Sequence, residues 1–420
     1  MVTDVKDVRD GYKMTELGEI PVEWEVLTTG DLFENISNKG YPELPVLSVT
    51  QENGVVYRDS VGINIKYDKK SLKSYKLIDK GQFVISLRSF QGGIEYSNLK
   101  GISSPAYTVL SAKKKINNDF FRYFFKSFWF IERLKKSVVG IRDGKQISYS
   151  DFKVIKIPFP TLLQQQKIAE TLCSVDETIE TTDQLLEKTK ELKKGLMQKL
   201  LTKGIGHTEF KKTELGEIPE EWEIETLSNV TDFITKGSTP TTYGFKWQES
   251  GVKFFKSDVV KEGEFVYGDF KFIDNEAHAH MARSKIIAGD LLITITGNIG
   301  RVAVVPKEIE EANINQHIAK ITVINSGINP LFVYFWFNQE KIIRYYEQIK
   351  TGLAYPQISL KQVRETKIPI PSKDEQQRIV DILSSVDDQI KSYRIEKERL
   401  QELKKGLMQQ LLTGKVRVSA

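Results

Sequence analysis

The sequence lacks the features that would commit a chain to disulfides, to export or to a membrane. It holds one cysteine, Cys173, in 420 residues. One cysteine excludes a disulfide framework and favours a cytoplasmic location. The chain contains no run of 18 apolar residues, so it predicts no membrane span. Its charged beginning, MVTDVKDVRD, predicts no signal peptide.

The sequence is also poor in groups that carry chemistry. It has four histidines. His278 and His280 stand close together without a third ligand nearby, so we predict no metal site. Gly297 and Gly300 lack the remaining glycine of a dinucleotide fingerprint and the Gly-Lys-Ser/Thr of a phosphate loop. No catalytic triad, acid-x-lysine nuclease cluster or Asn-Pro-Pro-aromatic methyltransferase motif stands out. We therefore predict a non-enzymatic chain with no catalytic residue and no cofactor of its own.

The composition is that of an ordinary globular protein. Hydrophobic residues make up 40% and charged residues 28% of the chain, which is long enough for two or more domains. The net charge is +5, so the chain is only mildly basic. That charge taken alone is weak evidence for a nucleic-acid partner.

What the sequence does contain is an internal repeat. Residues 157–204 align without a gap with residues 368–415, and the segment ELKKGLMQ is identical in the two copies. The segment TELGEIP, followed after one residue by Glu-Trp-Glu, also occurs twice, from Thr15 and from Thr213. A double repeat of this kind predicts two tandem units, each closed by a long helix.

The repeated C-terminal segments carry helix signals. Thr161 and Gln164 in one copy, and Ser372 and Glu375 in the other, have the spacing of a capping box. Apolar residues then recur at three and four, roughly as a heptad seam. We expect the two helices to pack on each other in an antiparallel manner. A second capping box at Ser174 and at Ser385 leaves open whether each segment is one helix or two.

The middles of the units diverge while their ends are nearly constant. Short strand-like runs dominate each middle, and an aromatic, helical stretch follows at 119–136 and at 331–349. Two constant scaffolds with two divergent surfaces suit a chain that reads two different things. The predicted boundaries are an N-terminal segment 1–21, a domain 22–157, a helix region 158–204, a linker 205–219, a domain 220–368, a helix region 369–414 and a tail 415–420.

Polar loops at the ends of strand-like runs hold the best candidates for DNA contacts. Arg, Asn and Gln suit purine edges, and Lys, Ser and Thr suit phosphates. We assign base contacts to Arg88, Gln91, Asn298 and Gln316. The full set of DNA-binding candidates is Ser86, Arg88, Gln91, Ser104, Tyr107 and Lys145 in the first unit, and Lys236, Ser238, Lys256, Ser257, Thr296, Asn298, Asn315, Gln316, His317 and Tyr355 in the second.

Taken in order, these motifs resemble a known family. Leu-Gly-Glu-Ile-Pro-x-x-Trp opens each half, and Gln-Ile-Ser, Ile-Pro-hydrophobic-Pro and Gln-Gln-basic-Ile follow twice. The second half adds Thr-Gly-Asn-Ile-Gly and Asn-Gln-His. The chain resembles the specificity subunit of a type I restriction–modification enzyme over nearly its whole length. The resemblance implies an α+β fold, with two tandem pseudo-symmetric α/β target-recognition domains separated by two long helices in an antiparallel coiled coil.

The resemblance also implies a function. Each domain reads one half of a split double-stranded DNA target, and the helices set the spacing between the halves. Two modification subunits dock around the helices and carry S-adenosylmethionine for adenine methylation. Restriction subunits carry ATP and Mg for translocation and cleavage. The candidates for partner contact are Gln165, Gln166, Lys167, Gln376, Gln377 and Arg378.

The first half departs from the second where base contacts are expected. It has Arg88-Ser-Phe-Gln-Gly-Gly in place of Thr-Gly-Asn-Ile-Gly, and Ser-Pro-Ala-Tyr in place of Asn-Gln-His. Two alternatives to the family function stay open at this point. One is a scaffold or adaptor whose twin domains bind proteins through the coiled coil. The other is a self-contained DNA methyltransferase or nuclease, which would need a cofactor motif.

Overall fold

The chain forms two units, each with its own hydrophobic core. The computed structural model describes residues 8–51, 53–61, 69–87, 89–137, 147–261, 263–323, 327–352 and 354–418. Unit 1 is built from the chain up to Asp183 together with the chain from Ile395 onward, and unit 2 runs from Gln184 to Arg394. Among the helices in these ranges, none combines the length and apolarity that a membrane crossing requires.

Unit 1 is built mainly from short strands and short helices. Its central sheet has the order β4-β11-β8-β9, and smaller pairs join β1 with β2, β3 with β12, β5 with β6 and β7 with β10. The elements are β1 (Tyr12–Thr15), β2 (Gly18–Pro21), β3 (Glu25–Thr28), α1 (Thr29–Leu32), β4 (Phe33–Ile36), β5 (Leu47–Thr50), β6 (Gly54–Tyr57), β7 (Lys76–Ile78), β8 (Phe83–Ile85), α2 (Ser89–Gly92), β9 (Glu95–Tyr96), β10 (Gly101–Ser103), β11 (Thr108–Ala112), α3 (Asn118–Phe124), α4 (Phe128–Ser137), α5 (Tyr149–Lys153), β12 (Lys156–Phe159) and the first half of α6 (Leu162–Lys203).

Unit 2 repeats this plan and adds a second four-stranded sheet. One sheet has the order β16-β25-β22-β23, and the other has the order β20-β17-β24-β21. The elements are β13 (Phe210–Thr213), β14 (Gly216–Pro219), β15 (Glu223–Thr226), β16 (Phe233–Lys236), β17 (Val252–Phe255), β18 (Val260–Lys261), β19 (Glu264–Phe265), β20 (Lys271–Ile273), α7 (Asn275–His280), β21 (Lys285–Ile286), β22 (Leu291–Thr294), β23 (Val302–Val304), β24 (Ala312–Ile314), β25 (Ile318–Thr322), α8 (Pro330–Phe337), α9 (Glu340–Ile349), α10 (Leu360–Arg364), β26 (Lys367–Ile370) and the first half of α11 (Lys373–Leu411).

Each predicted aromatic helix is in fact two helices. Between α3 and α4, the Ser127 hydroxyl donates to the Phe124 carbonyl at 2.7 Å and accepts from the Phe130 amide at 3.2 Å. The serine therefore closes one helix and begins the next. Between α8 and α9, the Asn338 side-chain amide donates to the Tyr334 carbonyl at 2.9 Å. The aromatic pattern predicted the helices, and these short polar side chains divide them.

The long helices α6 and α11 run without a break through Ser174 and Ser385. In unit 1, ion pairs join Lys404 to Asp176 at 2.6 Å and Lys397 to Asp183 at 2.5 Å. A step of seven residues towards the C-terminus of α6 therefore matches a step of seven residues towards the N-terminus of α11. This is the spacing of two antiparallel helices that pair through heptads. In unit 2, Lys193 of α6 pairs with Asp387 of α11 at 2.5 Å, beside a cluster of Leu186, Val386 and Ile390.

A buried tryptophan anchors the entrance of each unit. Trp24 is 1% exposed, and its indole nitrogen donates to Gln164 at 3.1 Å, at the start of α6. Trp222, also 1% exposed, donates to Glu375 at 2.9 Å, at the start of α11. Glu375 holds the second position of the predicted capping box, but its carboxylate bonds to Trp222, to the Ile205 amide and to His207. The helix start and the domain entrance are therefore one structural unit in each half.

Candidate nucleic-acid interface

In unit 2, the ends of several strands meet at one edge. Lys236, the last residue of β16, lies opposite Ala319 of β25, and Thr294 at the end of β22 lies opposite Ile318. The other sheet reaches the same place, because the Asn315 amide donates to the Phe255 carbonyl at 3.1 Å. The loops that follow β16, β17, β22 and β24 therefore converge. We call this surface, formed by Lys236, Ser238, Lys256, Ser257, Thr296, Asn298, Asn315, Gln316, His317 and Tyr355, the polar edge.

The centre of the polar edge is the turn from Asn315 to His317. Asn315 is buried, and its side-chain oxygen accepts from the His317 amide at 3.2 Å. This bond directs the exposed Gln316 side chain outward. The Thr239 hydroxyl donates to the Gln316 side-chain oxygen, and the Gln316 side-chain nitrogen lies 3.2 Å from Nε2 of His317. The amide is thus held on both sides.

A tight turn brings Tyr355 to the polar edge. Gly352 has a φ of 81°, and a Cβ there would lie 2.5 Å from the Tyr355 carbonyl oxygen, so the turn requires glycine. The Gly297 amide donates to the Pro356 carbonyl at 2.8 Å, which fastens the turn beside the loop of Thr296 and Asn298. The Tyr355 ring is 63% exposed and lies 6.2 Å from the His317 ring between centroids. An exposed aromatic ring therefore borders the amide cluster.

The two lysines of the polar edge, Lys236 and Lys256, are not paired with carboxylates within the described ranges. Lys236 and Lys256 are exposed, and neither forms an ion pair with any residue in the described ranges. Ser238 and Ser257 are half-buried, and the Ser238 amide donates to the Ile314 carbonyl at 3.2 Å. Free ammonium groups around exposed amides match the usual division between phosphate contacts and base contacts.

Unit 1 gathers its candidates at the corresponding strand ends. Thr108 at the start of β11 lies opposite Ile85 at the end of β8. Ser86 is buried and its amide donates to the Ser89 hydroxyl at 2.8 Å, whereas Gln91 is exposed. The Ser86 hydroxyl also lies 3.4 Å from the Ser89 hydroxyl, so the Ser86 side chain packs against Ser89. A direct contact of Ser86 with DNA is an untested prediction.

The other unit 1 candidates lie nearby or outside the described residues. Ser104 is half-buried, with its hydroxyl accepting from the Ala106 amide at 3.3 Å. The Tyr107 carbonyl accepts from the Lys76 ammonium at 2.5 Å. Arg88 and Lys145 lie outside the described residues, so their predicted contacts are untested.

Three residues at these edges, Lys39, Lys76 and Thr239, are not among the candidates predicted from the sequence. Burial, together with the nearby charge of Lys39, lowers the pKa of Lys76, which bonds to the Tyr107 carbonyl. Lys39 and Lys76 therefore both lie at the unit 1 edge, although neither is predicted from the sequence as a DNA contact. Thr239 was missed because nothing in the sequence shows that a hydroxyl 77 positions away reaches Gln316. A search for polar residues just after each strand would have found Lys39, three residues beyond β4.

The predicted partner-binding residues divide into buried and accessible ones. Gln165 is fully buried, accepting from the Asn117 amide at 2.9 Å and donating to the Pro160 carbonyl at 2.9 Å. Gln376 makes the matching bonds in unit 2, to the Asn329 amide and the Pro371 carbonyl. These two glutamines fasten each helix to its own domain. Partner contact stays a prediction for the set, and Gln166, Gln377 and Arg378 are exposed while Lys167 is half-buried.

The histidine pair is engaged in structural contacts. His278 is buried, with Nδ1 2.5 Å from the Asn313 side-chain oxygen and Nε2 2.9 Å from Glu311. The His280 ring packs against Tyr243, with 4.9 Å between ring centroids. Within the part of the chain that the structure describes, no three His, Cys, Asp or Glu side chains gather as metal ligands.

The chain is similar in sequence to proteins of one family. The model for the type I restriction modification DNA specificity domain matches it twice, over residues 21–191 and 219–405. The type I restriction enzyme MjaVIII specificity subunit of Methanocaldococcus jannaschii is 30% identical over 415 residues, covering 95% of this chain and 94% of that protein. The putative MjaX specificity subunit of the same organism is 28% identical over 432 residues, covering 97% of each.

Solved structures share the fold. A chain from a study of complex assembly and conformational transition of the type I R-M system gives a TM-score of 0.61 at 16% identity, covering 94% of this chain and 99% of that chain. The HsdS subunit from Thermoanaerobacter tengcongensis gives a TM-score of 0.51 at 16% identity, covering 94% and 98%. At these identities the likeness concerns the fold.

Proposed function

Because the chain belongs to the type I restriction–modification DNA specificity family, we propose that it is the DNA specificity subunit of a type I restriction–modification complex. Each unit reads one half of a bipartite duplex target through the strand-end edge described above. The lysines at the edges contact phosphates, and the exposed amides contact bases. The chain itself carries out no catalysis.

One observation carries this proposal most directly. The two units share the buried contacts that hold a long helix on its domain, but they carry different side chains at the strand-end edges. Two units with the same scaffold and different strand-end edges suit a protein that reads two different DNA elements a fixed distance apart. A protein with one active site would gain nothing from this arrangement.

We further propose that two modification subunits dock on this chain, one for each unit. The support is that both units present an equivalent helix start, with Gln166 and Lys167 in one and Gln377 and Arg378 in the other. Equivalent surfaces suit two copies of one partner. S-adenosylmethionine would be held by the modification subunits, and ATP and Mg by restriction subunits, in the cytoplasm.

A selection from random DNA tests the function. The chain assembled with its modification subunits is incubated with random duplexes, and bound DNA is sequenced. We expect two defined elements separated by unread base pairs, with affinity that falls steeply as salt rises. Enrichment of one contiguous element would contradict the bipartite reading. No enrichment at any salt concentration would favour a protein scaffold.

The spacing role has its own test. Seven residues are deleted from the middle of each long helix, which shortens each by about 10 Å. At 3.4 Å for each base pair along a strand, we expect the spacer to shorten by about three base pairs. An unchanged spacer would contradict the proposal that the helices set the distance.

A further inference from the structure

The exposed amide of Gln316 is held by its neighbours on both sides, which is unusual for a surface glutamine. Thr239 donates to its oxygen, and Nε2 of His317 lies 3.2 Å from its nitrogen. His317 is itself placed by the bond from its amide to Asn315 at 3.2 Å. Holding a long exposed side chain costs conformational entropy that a merely solvated glutamine would not lose. The arrangement therefore points to a contact made by the outward edge of the amide.

The Thr239 side chain bonds to Gln316 and does not cap the helix that it precedes. It occupies the N-cap position of the short turn of 3₁₀ helix from Pro240 to Tyr243, yet its side chain makes no capping hydrogen bond. A threonine at that position usually satisfies a backbone amide of the helix. Here the hydroxyl reaches Gln316 on a different loop.

The backbone is shaped to bring the two loops together. A Cβ on Gly237 would lie 2.1 Å from the Ile314 carbonyl oxygen and 2.3 Å from that of Asn315. Only glycine therefore permits the loop with Thr239 to approach the loop with Gln316. The Gly237 amide also donates to the Ile318 carbonyl at 3.0 Å.

The bonds already made decide what Gln316 can still offer. A side-chain amide has two acceptor sites on oxygen and two hydrogens on nitrogen. Thr239 uses one acceptor site, and the ring nitrogen of His317 uses one hydrogen. The outward edge keeps one acceptor and one donor, side by side. Rotating the amide by half a turn, with the other His317 tautomer, leaves the same combination.

This combination distinguishes the bases in the major groove. Adenine presents the N6 donor beside the N7 acceptor, which one amide can satisfy together. Guanine presents two acceptors there, cytosine a donor alone and thymine an acceptor with a methyl group. We propose that Gln316 reads an adenine in the DNA element bound by unit 2, and that Thr239 and His317 are positioning residues for that contact. This inference rests on the proposed function.

The test compares variants in the selection from random duplexes, with the full chain in complex with its modification subunits. We expect Gln316→Ala to lower discrimination at one A·T pair of one element by about 10- to 100-fold. Binding to DNA without the target should change little, because phosphate contacts carry it. The other positions of the unit 2 element, selected in the same experiment, report that unit 2 of the variant is folded, and the unit 1 element reports that the complex is assembled.

A change of the edge should change the base. Gln316→Glu removes the donor and leaves acceptors, which match the N4 donor of cytosine. We expect the preference at the same position to move from adenine towards cytosine. Loss of selectivity at a G·C pair instead, or at no position, would overturn the inference.

The positioning role is tested separately. Thr239→Val should weaken discrimination at the same pair by about 3- to 10-fold, and Thr239→Ser, which keeps the hydroxyl, should restore it. Thr241→Val is the matched control on an exposed neighbour and should have no effect. An effect of Thr239→Val that serine does not rescue would contradict positioning by the hydroxyl. If the wild-type complex selects no bipartite target, the proposed function fails, whereas normal selection with unchanged Gln316 variants refutes only this inference.

Discussion

The two units make the same inter-helix contact with the helices exchanged. In unit 1 the aspartate, Asp176, lies on α6 and the lysine, Lys404, on α11. In unit 2 the aspartate, Asp387, lies on α11 and the lysine, Lys193, on α6. These residues are equivalent in the sequence repeat. One repeated segment can therefore supply the aspartate and the lysine of both contacts. This explains why its two copies are so alike.

The comparison also shows where the copies cannot be exchanged. Gln164 bonds to Trp24 and donates to Glu23 at 2.7 Å, and Glu23 lies 3.1 Å from the Arg417 guanidinium. Its counterpart Glu375 instead accepts from Trp222, from the Ile205 amide and from His207. The tryptophan is constant, and the choice between amide and carboxylate follows the hydrogen-bonding partners, because Gln164 must also donate to a carboxylate whereas Glu375 only accepts.

The largest expected difference between the units concerns a buried carboxylate in each. Burial raises the pKa of Glu95 although Lys126 pairs with it, and burial likewise raises the pKa of Asp290. Asp290 also accepts from Thr322 at 2.6 Å and from the Ile287 amide at 3.0 Å. We expect Lys126→Met to lower the free energy of unfolding of unit 1 by about 3 kcal/mol. Lys320→Met in unit 2, whose ammonium lies 3.8 Å from Asp290, should cost about 1 kcal/mol.

Hydrogen exchange of peptides from each unit measures this difference, and the unchanged unit serves as the control. A carboxyl group with a raised folded-state pKa favours folding below its unfolded pKa and loses that contribution as the pH rises. The deficit of Lys126→Met should therefore shrink as the pH falls and Glu95 becomes neutral. Equal deficits for the two lysine variants would contradict the distinction.

The second prediction exchanges the anchor residues. Gln164→Glu places a carboxylate against Glu23, and we expect a loss of about 2 kcal/mol in the stability of unit 1. Glu375→Gln keeps an acceptor for Trp222, and His207 can change tautomer, but the Ile205 amide loses its acceptor, so the loss should be about 1 kcal/mol. Urea unfolding followed by hydrogen exchange of each unit measures both. Gln184→Glu, at an exposed position of α6, is the control. Costs of the opposite order would contradict the prediction, and negligible costs for both variants would show that the two sites are interchangeable.

The third prediction concerns a lysine of unit 2 where unit 1 has the buried Phe130. The Lys341 ammonium lies 4.1 Å from the centre of the Trp336 ring and makes no hydrogen bond within the described residues. Burial lowers its pKa to about 8. Because the unfolded chain keeps its proton to higher pH, the penalty is full below pH 8 and disappears as the pH rises towards the unfolded value.

Lys341→Met should therefore stabilise unit 2 at neutral pH by about 1 kcal/mol, a value reduced for the ring contact and for partial solvent exposure. The gain should vanish in alkaline solution, where the wild-type lysine is neutral. Thermal unfolding of the two proteins across this pH range gives the measurement, with the exposed Lys361→Met as the control. A gain that persists unchanged at high pH would show that the charge of Lys341 is not its cause.

The sequence predicted the repeated parts of the fold better than the divergent ones. Capping residues and heptad spacing predicted both long helices, and the strand-like run 252–255 coincides with β17. The paired repeats contain Trp24 and Trp222, the two tryptophans that anchor the domain entrances. The interruptions at Ser127 and Asn338 were missed because a short polar residue in an aromatic helix is not by itself a stop signal. Whether it ends the helix depends on the bonds it finds.

The candidate site was predicted in its residue types but not in its assembly. The Asn-Gln-His run of 315–317 was selected because polar side chains follow a strand-like run. Its fixation by Thr239 depends on two loops that meet only because β16 and β24 end at the same edge. Local pattern carries no information on such a meeting, so the sequence could propose a reader without showing what holds it.

The smallest expected difference lies in the exchanged ion pair itself. Asp176 accepts from Lys404 at 2.6 Å and also from the Tyr123 hydroxyl at 2.7 Å, whereas the equivalent Tyr334 donates to the Gly263 carbonyl at 2.8 Å. We expect Asp176→Ala to lower the stability of unit 1 by about 1 kcal/mol, and Asp387→Ala to lower that of unit 2 by about 0.5 kcal/mol. Tyr123→Phe should remove most of this difference, as measured by urea midpoints of the single and double variants. If Asp176→Ala costs no more than Asp387→Ala, the tyrosine contributes nothing, and the two contacts are equivalent in energy as well as in position.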